Sequence, residues 1–150
     1  MTFHEKKRIL VVDDDEVFTQ LLISTFHQLR PECELETFNT GQGILNRLAQ
    51  TNAQLPDLII LDLMMPEPSG LTVLQRIKSH PTLKVIPTLM LSNSDAQADQ
   101  VNCYQYGANS YLVKTPYYEQ LKQFVRVTCQ YWFDVASVPP TSPGANLYAR

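Results

Sequence analysis

Residues 58–66 read LIILDLMMP, and residues 9–16 read ILVVDDDE. Each stretch begins with four consecutive apolar residues, and an aspartate follows them directly. Continuous rather than alternating apolar runs are typical of strands buried on both faces, as in a parallel sheet covered by helices on either side. The two stretches therefore predict two buried strands of an α/β domain, each with carboxylates at its carboxyl end.

Further strands and helices are predicted from the same kind of pattern. Apolar runs at residues 86–91 and 111–113 are candidate strands, and a weaker alternating run at residues 34–38 is expected at a sheet edge. Apolar spacings of three and four residues predict the intervening helices, over residues 15–29, 40–49, 71–79, 94–106 and from about residue 116 onward. Strand and helix alternate five times, which predicts a doubly wound α/β fold with right-handed crossovers.

Local signals mark several of the helix ends. Pro31 follows the first predicted helix as a stop, Ser94 is expected to cap the fourth, and Gly107 is expected to close it. Asp15 is expected at the start of the first helix, as its cap or first-turn acid. The sequence therefore predicts where the loops at the strand ends begin.

Composition bounds the class of protein. The chain has 150 residues, 44% of them hydrophobic, and 12 Lys and Arg against 15 Asp and Glu give a net charge of -3. This balance is typical of one globular domain and predicts no general attraction to nucleic acid or to an anionic membrane. We expect a domain over residues 1–136 and a largely disordered, proline-rich tail over residues 137–150.

The compartment is predicted from the N-terminus and the cysteines. The apolar run before Asp13 is too short for a signal-peptide core or a membrane span, so a cytoplasmic protein is expected. Cys33, Cys103 and Cys129 are far apart and form no CxxC pair, which predicts reduced, partly buried thiols.

Polar clusters follow four of the predicted strands, as VVDDDE, LIILDLMMP, LMLSNSD and YLVKTP. In open α/β sheets the binding crevice lies beyond the carboxyl ends of the strands, so these clusters are expected to converge. Crowded carboxylates repel one another unless a cation is present, and Mg²⁺ binds carboxylate and carbonyl oxygens. Such a site is suited to phosphoryl transfer, with Asp62 as nucleophile.

The ordered set of motifs resembles the receiver domains of response regulators in two-component signalling, the CheY-like family. The residues that carry the resemblance are ILVVDDDE, DLMMPEPSG, Ser92 after an apolar strand, and the pair Tyr111 and Lys114. It extends from residue 8 to about residue 134. The resemblance implies a flavodoxin-like parallel sheet of five strands in the order 2-1-3-4-5, with five helices.

The resemblance also implies roles for individual residues. Asp62 would be the phosphoacceptor, Asp14 a direct ligand of Mg²⁺ (or Mn²⁺), and Asp13 a helper acting mainly through water. The other implied roles are a backbone carbonyl to the metal from Met64, a switch hydroxyl from Ser92, a rotameric aromatic ring from Tyr111, and a contact to the phosphoryl oxygens from Lys114. The implied partner is a sensor histidine kinase or a histidine phosphotransfer protein, and the domain would catalyse its own phosphorylation and slow dephosphorylation.

One position departs from the family pattern. The lysine is usually followed by proline, often through a cis bond, whereas this chain reads Lys114-Thr115-Pro116. The loop is therefore expected either to be trans throughout or to have its cis bond before Pro116.

Other interpretations of the same residues stay open. The acidic run could simply favour a helix dipole, Asp62 could be a turn residue, and Tyr111 could be a core aromatic. A degenerate receiver that only binds a partner is one alternative function. An aspartyl-nucleophile phosphatase is another, although Met64 stands where that class has its general acid.

The last predicted helix suggests a protein contact. It places Leu121, Phe124, Val125, Thr128 and Trp132 on one face and continues into the aromatic sequence CQYWFDVASVPP. Exposed aromatic clusters often mark interfaces, so Tyr131, Trp132 and Phe133 are candidates for a homodimer or docking surface. This ending resembles small stand-alone receivers that work with phytochrome-type histidine kinases. Few residues follow residue 134, so output is expected through protein contact or onward phosphotransfer.

Overall fold

The computed structural model of the protein describes residues 5–140. Regular secondary structure ends at Val135, and residues 136–140 form neither helix nor strand, while the domain limit at residue 136 stays a prediction. Most of the predicted disordered tail, residues 141–150, lies outside the described residues. No helix within residues 5–140 is both long and apolar enough to cross a membrane.

The sheet has the predicted five parallel strands in the order β2-β1-β3-β4-β5. Its strands are β1 (Lys7–Val12), β2 (Cys33–Phe38), β3 (Leu58–Leu61), β4 (Thr88–Ser92) and β5 (Ser110–Val113). The alternating run forms β2, which lies at an edge as predicted. The expected start of β4 at residue 86 is wrong, because Ile86 ends a short 3-10 turn and Pro87, which has no N–H, separates it from the strand.

Five α-helices connect and follow the strands. They are α1 (Glu16–Leu29), α2 (Gly41–Leu48), α3 (Gly70–Ser79), α4 (Gln97–Gln105) and α5 (Tyr118–Cys129). The Asp15 carboxylate caps α1 by accepting a hydrogen bond from the Phe18 N–H, as expected. Gly107 follows α4 with φ of 101°, in the left-handed region that glycine adopts without strain.

The predicted capping of α4 by Ser94 is wrong. The residue at the cap position is Ala96, and no side chain there accepts a hydrogen bond from the helix. The Ser94 hydroxyl instead accepts from the Ala96 N–H at 3.2 Å and bonds to the Asp99 carboxylate. The hydroxyl therefore stabilises the loop before the helix, two residues earlier than a cap would lie.

The core has two layers because the buried strands direct alternate residues to opposite faces of the sheet. Leu10 and Val12 of β1 face α2 and α3, where they pack in one buried cluster. Ile9 and Val11 face α1 and α5 in a second cluster, which is called the α1–α5 core below. All three cysteines are free thiols and are buried.

The last helix does not continue as a regular α-helix past Cys129. Residues Gln130–Val135 form a π-helix, which the sequence did not predict. Its position is fixed by an ion pair between the Asp134 carboxylate and Arg30, at 3.1 Å, and by packing of Trp132 and Phe133 against the α1–α5 core. The π-helix therefore lies beside Lys7, the first residue of β1, at the amino ends of the strands.

Gly70, the first residue of α3, sets how closely this helix approaches the end of β3. A Cβ atom here would overlap the backbone carbonyl oxygen of Asp62 and lie 2.7 Å from the Leu63 Cα. Only glycine allows this contact, so the backbone of the strand end is fixed by the start of α3.

We predict that Gly70→Ala lowers the free energy of unfolding by about 2–4 kcal/mol, because the methyl group must displace backbone rather than a flexible side chain. Urea denaturation followed by circular dichroism measures this. Gly43→Ala is the matched control, since the nearest atom to its Cβ is a side-chain hydroxyl at 3.2 Å. An equal loss of stability in both variants would contradict the argument.

Candidate functional site

Three carboxylates meet at the carboxyl edge of the sheet. β1 and β3 are neighbours in register, with Val12 opposite Leu61, so the next residues, Asp13 and Asp62, lie side by side. A hydrogen bond of 2.9 Å from the Asp62 N–H to the Val12 carbonyl continues the pairing. Carboxylate oxygens of these two residues and of Asp14 all lie within 4.8 Å of one another. Asp13 and Asp62 are buried, and Asp14 is exposed.

Lys114 reaches this group from beyond the end of β5. Its Nζ lies 2.7 Å from Asp13 Oδ2 and 3.4 Å from Asp62 Oδ2, and its side chain is only 5% exposed. The Lys114 N–H also donates to the Ser92 carbonyl at 2.7 Å, which fixes the start of this loop on β4. The structure therefore brings together four of the predicted site residues, Asp13, Asp14, Asp62 and Lys114.

The backbone N–H groups of the loops hold the remaining carboxylate oxygens in place. Asp13 Oδ1 accepts from the Asp15 N–H at 2.9 Å, and Asp62 Oδ1 accepts from the Met64 N–H at 3.1 Å. Asp13 thus has an N–H on one oxygen and the Lys114 ammonium on the other. Asp14 is the member of the group with an exposed carboxylate.

The electrostatics of the group favour an added positive charge. Burial, together with repulsion from Asp13, raises the pKa of Asp62 from its usual value near 3.8 to about 6, and the Lys114 ammonium limits this rise. Three carboxylates face a single ammonium, and all their donor atoms are oxygen. This donor set suits a hard divalent cation such as Mg²⁺ or Mn²⁺.

Ser92 and Tyr111 are joined through the loop that follows β4. Ser92 is fully buried, and its Oγ accepts from the Ser94 N–H at 3.1 Å. The Tyr111 hydroxyl donates to the Ser94 carbonyl at 2.7 Å. Tyr111 is half-buried against the core, as the alternative interpretation had it, but its hydroxyl also contacts the loop next to Ser92.

Met64 lies at the open side of the acidic group. Its N–H contacts Asp62, while its side chain is 61% exposed. The interface candidates Tyr131, Trp132 and Phe133 are not part of this group, because they lie at the opposite edge of the sheet.

In the loop after Lys114, the Lys114–Thr115 and Thr115–Pro116 peptide bonds are both trans. Among residues 5–140 the cis peptide bond is that of Glu67–Pro68. Thr115, which replaces the usual proline, accepts a hydrogen bond from the Tyr117 N–H at 3.1 Å and bonds to the Gln120 side chain. Its hydroxyl therefore anchors the start of α5, where the cap residue Tyr117 contributes no side-chain hydrogen bond.

Two side-chain contacts at the site were not predicted from the sequence. The ring of Phe18 lies over the Lys114 ammonium, with Nζ 4.6 Å from its centroid, although its helical spacing indicated only a core residue. The Tyr104 hydroxyl of α4 accepts from the Tyr111 N–H at 3.0 Å. Both contacts join residues from different elements, so no local pattern encodes them.

Residues 9–126 match the family model of the response regulator receiver domain. The chain belongs to this family. It is 32% identical over 127 residues to the probable methanogenesis regulatory protein FilR2 of Methanothrix harundinacea, covering 83% of this chain and 82% of that protein. It is 30% identical to the response regulator Rcp1 of Synechocystis, covering 89% of this chain and 93% of Rcp1.

The fold is likewise that of solved receivers. The phosphorylated cyanobacterial phytochrome response regulator RcpA superposes with a TM-score of 0.84 at 34% identity, over 90% of this chain and 99% of RcpA. The Mn²⁺-bound form of Rcp1 superposes with a TM-score of 0.81 at 30% identity, over 89% of this chain and 99% of Rcp1. The predicted resemblance to receivers, including the phytochrome-associated group, is therefore confirmed.

The raised pKa of Asp62 makes a prediction about stability. The folded protein disfavours the charged carboxylate, so its free energy of unfolding should fall as pH rises from about 4 through about 6. Asp62→Asn removes that charge. The variant should be more stable than the wild type by about 1–3 kcal/mol at pH 7 without metal, and the difference should shrink toward pH 4.

Urea denaturation in the presence of EDTA between pH 4 and pH 7 measures the difference. Asp95→Asn, which removes an exposed acid, is the matched control and should show no such pH dependence. A wild type as stable as Asp62→Asn at pH 7 would show that the burial of this charge costs nothing.

Proposed function

We propose that the protein is a phosphoacceptor of a two-component system or phosphorelay, with Asp62 as the phosphorylated residue. The observation that supports it most is the position of the Lys114 ammonium, which contacts both Asp13 and Asp62 at the ends of adjacent strands. Asp62 is the acid of this group that follows the central strand β3.

The reaction is a displacement at phosphorus. A carboxylate oxygen of Asp62 forms a bond to the phosphorus of a phosphohistidine, and the bond between phosphorus and the histidine nitrogen breaks. The electron pair stays on that nitrogen, which takes up a proton, and Asp62 becomes an acyl phosphate. Lys114 contacts the phosphoryl oxygens, and the Ser92 hydroxyl donates to another of them.

A divalent cation, Mg²⁺ or Mn²⁺, would neutralise charge on the phosphoryl oxygens when bound. Asp14 would bind it directly, because its carboxylate is exposed. Asp13 would act through water, because its oxygens already accept from the Asp15 N–H and from Lys114. Asp62 and the Met64 carbonyl would complete the protein ligands.

The signal would leave through the loop after β4. When Ser92 turns to the phosphoryl group, its hydrogen bond with the Ser94 N–H is lost, and Ser94 also holds the Tyr111 hydroxyl. The ring of Tyr111 and the start of α4 would then shift together. This is a local charge change that biases a two-state element.

The proposed partner is a sensor histidine kinase or histidine phosphotransfer protein, of the phytochrome type by similarity to RcpA and Rcp1. Output would pass by protein contact or onward phosphotransfer. A cytoplasmic location is proposed, and the three free thiols fit a reducing compartment.

We predict that acetyl phosphate and Mg²⁺ add one phosphoryl group to the protein, and that EDTA abolishes the addition. Asp62→Asn should not be labelled, whereas Asp95→Asn, the exposed-acid control, should be labelled like the wild type. Intact-protein mass spectrometry measures the product. Labelling of Asp62→Asn would contradict the assignment, and an unlabelled wild type would favour the degenerate receiver.

The exposed side chain of Met64 is proposed to slow hydrolysis of the acyl phosphate, because an apolar group gives no hydrogen bond to an attacking water. Met64→Asn should dephosphorylate faster, by up to about tenfold, which is the rate equivalent of one hydrogen bond from the asparagine amide to the attacking water. Met64→Leu, which stays apolar, is the control. Phosphate release from purified phosphoprotein measures the rate, and equal rates in all three proteins would contradict this role.

The π-helix is proposed as the contact between two copies of the chain. Trp132 and Phe133 are half-buried against the α1–α5 core, while Tyr131 is 53% exposed and stacks edge-on against Trp132. Tyr131 is therefore the side chain that would reach a second copy. The aromatic residues nearest to it would hold its position rather than make the contact.

Sedimentation velocity with and without beryllofluoride, a phosphoryl mimic, tests the contact. We predict that the wild-type protein sediments as a dimer and that Tyr131→Ser shifts it toward the monomer. Tyr106→Ser is the control, because Tyr106 has similar exposure at 48% but follows α4. A monomer in every condition at high protein concentration would argue against the interface.

A further inference from the structure

Phe18 is the residue whose ring lies over the Lys114 ammonium. The Nζ atom is 4.6 Å from the ring centroid, within the distance at which a cation is attracted to the face of an aromatic ring. The same Nζ contacts Asp13 at 2.7 Å and Asp62 at 3.4 Å. The ammonium is thus held between two carboxylates and an aromatic ring.

The ring is itself held in place from two sides. Phe18 lies in the first turn of α1, where its N–H donates to the capping Asp15 carboxylate at 3.1 Å. The half-buried side chain packs against the α1–α5 core. Because the backbone and the ring are both fixed, Phe18 does not need to reorganise to contact Lys114.

The lysine and the ring also share an apolar groove. Phe18 and Lys114 both line an apolar groove of about 310 Å³ between α1, β5 and α5. Leu91, Leu121 and Phe124 are among the other residues that line it. A lysine side chain is flexible, so its ammonium keeps one position only where its surroundings restrict it.

We propose that Phe18 is a positioning residue for phosphoryl transfer, which acts by holding the Lys114 ammonium toward Asp13 and Asp62. This role rests on the proposed phosphoacceptor function. Phe18 touches no phosphoryl oxygen. It stabilises the arrangement of the cation that does, and it keeps water away from that cation on the α1 side.

The test compares three variants in the full chain. Phe18→Leu keeps an apolar side chain but removes the aromatic face, Phe18→Tyr keeps the face, and Phe124→Leu removes another ring of the same groove. The rate of labelling by acetyl phosphate with Mg²⁺ is measured well below each variant's unfolding temperature. Phe18→Leu should label about three- to tenfold more slowly, while Phe18→Tyr and Phe124→Leu should label close to the wild-type rate.

A double-mutant cycle with Lys114→Met separates an effect on the cation from a general effect on packing. Its readout is the affinity for beryllofluoride with Mg²⁺, measured at equilibrium by fluorine NMR. Phe18→Leu should weaken this affinity in the wild-type background but not in the Lys114→Met background, because the cation on which the ring acts is then absent.

The results that overturn the proposal differ from those that overturn the function. An unlabelled wild type would defeat the phosphoacceptor assignment. If the wild type is labelled, three results would defeat only the role of Phe18. The first is a Phe18→Leu variant that is labelled at the wild-type rate, and the second is a defect that Phe18→Tyr or Phe124→Leu shares equally. The third is a full effect of Phe18→Leu in the Lys114→Met background.

Discussion

The buried carboxylates of Asp13 and Asp62 lie side by side because the adjacent parallel strands β1 and β3 end at the same level. Their mutual repulsion is the constraint on which the rest of the site depends. Asp13 and Asp62 extend the registered pair Val12 and Leu61 by one residue. Lys114 compensates part of their charge, but burial and the repulsion from Asp13 still raise the pKa of Asp62. A divalent cation would relieve what remains, so the sheet register itself favours metal binding at this group.

Hydrogen bonds connect the acidic group to the loop after β4 and to the edge strand β5. Lys114 and Ser92 are joined through backbone, and Ser92, Ser94 and Tyr111 are joined through hydrogen bonds. A phosphoryl group would therefore act on a loop whose contacts already extend to α4 and β5. Tyr104 adds a further link, since its hydroxyl holds the Tyr111 N–H at the free edge of the sheet.

Two departures from a simple receiver pattern have local physical explanations. Thr115 replaces proline after the lysine, and its hydroxyl supplies the hydrogen bond that fixes the loop before α5. The chain after α5 forms a π-helix, which the Arg30–Asp134 ion pair and the packing of Trp132 hold against the domain. The sequence predicted an exposed aromatic cluster, but Trp132 and Phe133 pack partly against the core, and Tyr131 is the exposed residue of the three.

The sequence by itself determined the five strands, the five helices and the acids at the strand ends, because continuous apolar runs and helical spacing are local patterns. It also indicated the acidic group, since strand ends in a parallel sheet share one edge. The tertiary structure alone decided the trans loop after Lys114, the loop role of Ser94, the π-helix and the contact of Phe18 with Lys114. The π-helix and the Phe18 contact depend on residues from different elements meeting in space, and spacing along the chain carries no information about such contacts.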